Sequence, residues 1–136
     1  MKLITRDTDY AVRALVYMAQ DPGRITAVQE LVDELDMPLA FSRRILQKLS
    51  QKGILVSVKG KGGGFCIKRP LGQIQLFEIM EAFQGRLSAV SCMFKKSFCP
   101  NTRRCPLRRK MKEVEKNIFS ELKKINVASL VKGDAR

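Results

Sequence analysis

The sequence predicts a mainly α-helical fold with a small β-hairpin and a long helix toward its C-terminal end. Three observations carry this. Apolar residues recur every three or four positions through residues 8–52. A β-branched run at 54–58 is parted by glycines from a second short run at 65–67. From residue 106 a single apolar stripe then continues for about five turns. At 136 residues the chain has the length of about one domain, and its 45% hydrophobic residues suffice for a core without disulfides.

The first helix is expected over residues 8–20, capped by Thr8 or Asp7. Ala11, Leu15 and Met18 stand at helical spacing, and Asp21-Pro22-Gly23 stops the run. Thr26 is expected to cap a second helix, whose stripe is Val28, Leu31, Val32 and Leu35. Asp36-Met37-Pro38 makes a short break. A third helix follows from about Leu39 to Lys52, closed by Gly53. Two short helices joined by a tight turn, the second one basic, form a helix-turn-helix pattern. On a wheel at about 100° per residue, Phe41, Ile45, Leu46 and Leu49 share the core side of the third helix. Ala40, Arg43, Arg44 and Gln47 lie opposite. Long basic and amide side chains of this kind suit base edges and phosphates in a major groove, or simply solvent.

Ile54–Lys59 and Phe65–Arg69 read as two strands around the loop Gly60-Lys61-Gly62-Gly63-Gly64. A hairpin directly after a helix-turn-helix is a wing, so the expected fold is a winged helix-turn-helix. Its glycines allow close backbone approach to a phosphate or minor groove, and Lys59 and Lys61 supply charge. A P-loop is excluded, since no G-x-x-x-x-G-K-[ST] occurs and no helix opens after the glycines.

Residues 74–83 read as a short apolar helix, and after Gly85 the chain enters a cysteine-containing loop. From about Pro106 to Lys124 a long helix carries Leu107, Met111, Val114, Ile118 and Leu122, with Ile125 just beyond it. This narrow seam suits dimerisation, or packing on the chain's own domain. The expected organisation is a winged helix-turn-helix over 1–84, a cysteine loop over 85–105, and a dimerisation helix with its tail over 106–136.

Against 13 acidic residues stand 26 Lys and Arg, a net charge of +13. Residues 42–69 contribute eight basic side chains and no acidic one; residues 95–124 contribute eleven basic and three acidic. Ordinary surfaces intersperse both signs, so nucleic acid is the leading partner. The absence of histidine excludes His-based acid–base catalysis, Ser-His and Cys-His nucleophile pairs and His-ligated metals. No glycine motif leading into a helix and no carboxylate pair suggests an enzyme. Cys66, mid-strand and without a base, reads as a structural thiol.

The N-terminal stretch, broken by Arg6, Asp7, Asp9 and Arg13, does not read as a signal peptide, and no run of 18 apolar residues is long enough for a membrane span. Four cysteines in such a chain indicate a reducing compartment, and the expected location is the cytoplasm. Cys92, Cys99 and Cys105 form C-x6-C-x5-C, too widely spaced for a zinc ribbon. Lys95, Lys96, Arg103 and Arg104 place positive charge beside them, which favours ligating thiolates. Such thiolates select zinc, copper(I) or an iron–sulfur cluster. Three unrelated cysteines, or a disulfide plus one thiol, fit the spacing as well.

These segments together resemble the Rrf2 family of winged-helix regulators. The likeness rests on the opening MKL…DYAVRAL, on LDMPLAFSRRILQKLSQKGIL, on VKGKGGGF, and on the Cys92–Cys99–Cys105 loop before the long helix. The resemblance implies a homodimeric transcription regulator on a palindromic operator, with long helices at the dimer interface. It also implies an iron–sulfur cluster on the three cysteines that alters DNA affinity; CymR-like members lack those cysteines. IscR-like members take a histidine shortly after the third cysteine as fourth ligand, but here the stretch reads Cys105-Pro106-Leu107-Arg108-Arg109. NsrR-like members take an aspartate near the start of the first helix, from the partner subunit. Asp9 matches that position, with Asp7 as the fallback, so a four-iron cluster is preferred over a two-iron one. The alternatives are a zinc-binding or thiol-redox regulator and a non-specific nucleic-acid-binding protein.

Overall fold

Thr5 opens the first helix, three residues before the cap expected at Thr8. The computed structural model describes residues 3–87 and 104–134. In it α1 spans Arg6–Met18, and the Thr5 side chain accepts a hydrogen bond from the Thr8 N–H. Thr8 is unavailable as a cap because it is fully buried and its hydroxyl donates to Gln84 at 2.7 Å. Asp7 and Asp9 fall in the first turn, where the helix dipole favours negative charge. Ala11, Ala14, Leu15 and Met18 face the core.

The second helix, α2 (Val28–Leu35), also starts without the expected threonine cap. Thr26 is buried with its backbone committed elsewhere: its N–H donates to the Phe65 carbonyl at 2.8 Å, and its own carbonyl accepts from the Phe65 N–H at 2.9 Å. α2 ends at Asp36, which adopts left-handed backbone (φ 51°). A short Asx side chain tolerates that conformation better than most residues. Met37 then plugs the core and Pro38 leads into α3 (Leu39–Gln51). No side chain caps α3, but the buried Ser42 hydroxyl donates to the Pro38 carbonyl at 2.8 Å. Ile45, Leu46 and Leu49 are fully buried, each contributing roughly 1.5–3 kcal/mol of transfer free energy.

Strands β1 (Leu55–Val58) and β2 (Gly64–Ile67) pair antiparallel, Leu55 opposite Ile67 and Val58 opposite Gly64. The Thr26–Phe65 bridge extends this hairpin back to the start of α2. That close approach explains two of the glycines. A Cβ on Gly64 would strike the Thr26 carbonyl, its carbon lying 2.8 Å away, and one on Gly63 would strike the Val58 carbonyl oxygen.

A 3-10 turn at Leu71–Gln73 precedes α4 (Leu76–Gln84), and α5 (Pro106–Lys123) begins with Cys105 at the N-cap and proline in the first turn. Residues assigned to a tail form a further helix, α6 (Val127–Asp134). It is capped reciprocally: Asn126 Oδ1 accepts from the Ser129 N–H, and Ser129 Oγ from the Asn126 N–H. Backbone bonds from Leu76 to Ile125 and from Val127 to Ile74 join α4 to the α5–α6 corner. Val127 thereby enters the same core as α1, α3 and the hairpin, while Leu76, Met80 and Leu122 form a smaller cluster. No helix among the described residues is long and apolar enough to cross a membrane.

Candidate nucleic-acid interface and cysteine site

The outer face of α3 follows from its inner one. With Ile45, Leu46 and Leu49 buried, the helical period turns Ala40, Arg43, Arg44 and Gln47 to solvent, and all four are exposed. Leu39, at the first position of α3, is 38% exposed beside them and was not singled out by its sequence pattern. Lys59 and Lys61 are exposed in the loop between β1 and β2. Helix face and hairpin thus display five long polar or basic side chains together with small and apolar ones.

Phe41 packs against the core as expected and also carries contacts beyond it. It is only half-buried, and its ring is an edge-on partner of Tyr10 at 5.2 Å. The Arg44 guanidinium lies over it at 4.7 Å and that of Arg6 at 5.0 Å. Arg44 also approaches Asp7, Nη2 to Oδ2, at 3.6 Å. These contacts join α1 to α3 across more than thirty residues of sequence, so no local spacing could have flagged them. Arg69, counted with the basic block, is spent inside the fold: it grips Glu78 through two hydrogen bonds of 2.7 and 3.2 Å.

A second polar contact braces α1 against α2. Arg24 donates two hydrogen bonds to the Glu30 carboxylate, and the Tyr17 hydroxyl donates a third at 2.9 Å. The Arg24 hydrogen bonds hold Glu30 below its ordinary range, and the hydrogen bond to Glu30 pushes Tyr17 up.

Of the four residues expected to hold a metal centre, Cys92 and Cys99 lie outside the described residues. Cys105 is a free, half-buried thiol at the N-cap of α5. Asp9 is 47% exposed and paired with Arg13 one turn along, at 3.0 Å. Among the described residues no three potential ligands cluster. The donor chemistry of the described pair still suits an iron–sulfur centre. An uncommitted thiol at a helix N-terminus sits where negative charge is favoured, and a solvent-accessible carboxylate held by one exposed arginine can exchange partners. Cys66 is a free, half-buried thiol in β2.

A helix-turn-helix whose second helix presents a basic and amide face, followed by a basic hairpin, defines the winged-helix class of nucleic-acid-binding proteins. A family model described as Rrf2, iron-dependent transcriptional regulator, matches residues 4–133. The chain belongs to the Rrf2 family, whose members are DNA-binding transcription regulators and not enzymes. Solved structures share the fold at low identity. CymR, the global cysteine regulator of B. subtilis, superposes with a TM-score of 0.82 at 16% identity, over 97% of this chain and 98% of the other. T. potens IscR gives 0.75 at 20% identity over 100% and 89%. Staphylococcus aureus CymR gives 0.73 at 16% identity over 93% and 96%.

Proposed function

We propose that this chain is a homodimeric regulator that reads a palindromic operator and whose DNA affinity answers to an iron–sulfur cluster sensing nitric oxide, redox state or iron supply. The observation that carries the DNA reading is the exposed Arg43, Arg44 and Gln47 face of α3 beside the Lys59 and Lys61 hairpin. Arg43 and Arg44 suit guanine edges or phosphates, Gln47 suits adenine, and the hairpin lysines suit the flanking backbone or minor groove. Dimerisation through α5 is supported by an unburied half of its seam. Ile118 and Leu122 pack toward α4, whereas Leu107 is 70% and Val114 46% exposed.

Cys92, Cys99 and Cys105 would hold the cluster together with the partner subunit's Asp9, in a four-iron form by preference and a two-iron form otherwise. When bound, the cluster supplies a tie whose integrity depends on oxidants, nitric oxide and iron. For this chain's residues, ligation means that Asp9 gives up Arg13 and that the first turn of α1 is held from across the dimer. The same turn carries Asp7, and α1 packs against the reading helix. The tie would therefore bias how the two α3 helices are spaced on their half-sites.

The reading is tested by purifying the protein without oxygen and measuring its visible absorption, iron and acid-labile sulfide. A coloured protein with matched iron and sulfide is the expected result. A colourless protein with one zinc, after careful reconstitution, replaces the cluster with the zinc-binding alternative.

A further inference from the structure

Two adjacent arginines stand on the outer face of α3, and the structure treats them differently. Arg43 is exposed and makes no ion pair or ring contact among the described residues. Arg44 is held on two sides, by the Phe41 ring at 4.7 Å and by Asp7 at 3.6 Å. Both supports are themselves anchored. Phe41 is half-buried and met edge-on by Tyr10. Asp7 sits in a first turn whose cap, Thr5, receives a hydrogen bond from Thr8 and gives one from its own N–H to Gln84.

The form of the Asp7 contact decides what it can do. At 3.6 Å it is too long for a hydrogen bond, so it tethers the charge without occupying a guanidinium donor. Arg44 is 64% exposed, so much of its side chain stays open to a ligand. A competitor for phosphate would instead sequester its donors. A planar guanidinium held between a ring and an anion also loses less rotamer freedom when it binds than a free one.

We propose that Asp7 is a positioning residue for sequence reading: with Phe41 it fixes the Arg44 guanidinium so that it addresses the acceptor edge of one base pair, while Arg43 remains free to follow phosphates. The proposal rests on α3 being the DNA-reading helix, and the experiment separates the two.

The full chain is used to enrich duplexes from a random-sequence pool. Wild type, Asp7→Asn, Asp7→Glu, Arg44→Ala and the Asp7→Asn/Arg44→Ala double variant are then compared on the enriched duplex and on a shuffled one. Arg44→Ala is expected to lose discrimination at one base pair of each half-site. Asp7→Asn should weaken the enriched duplex by roughly five- to tenfold, at that same base pair, because it loosens a bidentate contact. Its shuffled-duplex affinity should hold or rise, because a negative charge has gone. Asp7→Glu should recover part of the loss, and the double variant should read as Arg44→Ala alone. Only a small fall in thermal midpoint is expected for Asp7→Asn, since the ion pair is partly solvent-screened and a single first-turn charge contributes modestly to α1.

Equal tightening of Asp7→Asn on both duplexes would make the carboxylate a phosphate competitor and overturn the proposal. So would an unchanged enriched affinity, or full discrimination by Arg44→Ala, and either leaves the regulator reading intact. If the wild type enriches no sequence, both fall.

Discussion

Thr8 and Gln84 lie 76 residues apart, and the Thr8 hydroxyl donates a 2.7 Å hydrogen bond to the Gln84 side-chain carbonyl. The same oxygen accepts from the Thr5 N–H, and the Gln84 amide donates to the Leu3 carbonyl. One glutamine at the end of α4, one residue before Gly85, thus clamps the start of α1. Thr8→Val keeps the shape and removes the donor from a fully buried site, so it should cost about 1–2 kcal/mol. Urea unfolding measures this, and a change below about 0.3 kcal/mol would mean the clamp contributes nothing.

The Thr26–Phe65 bridge makes a steric prediction. Gly64→Ala pushes a Cβ into the Thr26 carbonyl group and should destabilise by about 1–3 kcal/mol or more. Gly72→Ala is the control: nothing lies within 4 Å of its added Cβ, and it should be neutral or slightly stabilising. Thermal melts of both variants suffice; equal midpoints would contradict the packing described.

The Arg24–Glu30–Tyr17 contact predicts a pH dependence. Glu30 is held below its ordinary 4.5, so its contribution is present above that value and is lost as pH falls through the lower folded one. Tyr17 is raised above 10.0, so its contribution is present below that value and is lost as pH rises through the higher folded one. Glu30→Gln should flatten the fall in the urea midpoint as the pH drops below the ordinary 4.5. An unaltered acid limb in this variant would assign the loss to other carboxylates.

The seam of α5 predicts a change of assembly without a change of fold. Leu107→Asp combined with Val114→Asp alters side chains that are 70% and 46% exposed. Far-ultraviolet dichroism should stay as in the wild type, while sedimentation equilibrium moves from dimer to monomer. A variant that remains dimeric would place the interface elsewhere.

What could be read in the sequence tracks how local the cause is. The exposed face of α3 was legible because Phe41, Ile45, Leu46 and Leu49 repeat at the helical period, and a period fixes the opposite face too. The hairpin was legible from β-branched runs around glycines. The helix starts were not: threonines 8 and 26 have the right chemistry for caps, but their partners, Gln84 and Phe65, are distant in sequence. The α6 helix had a usable signal in the Asn126–Ser129 pair, but its eight residues carry only a short apolar pattern. Phe41 packs with the core as its period requires, but a wheel of one helix cannot show that Arg6 and Tyr10 reach it, and Asp7 reaches Arg44, from another.

The proposed regulator couples metal-centre chemistry to DNA reading in one molecule. The most direct test binds oxygen-free protein to an enriched duplex at one salt concentration, before and after a stoichiometric dose of nitric oxide. An affinity change of about tenfold or more is expected, abolished in Cys105→Ser. Identical affinities before and after, in protein shown to carry iron and sulfide, would contradict it.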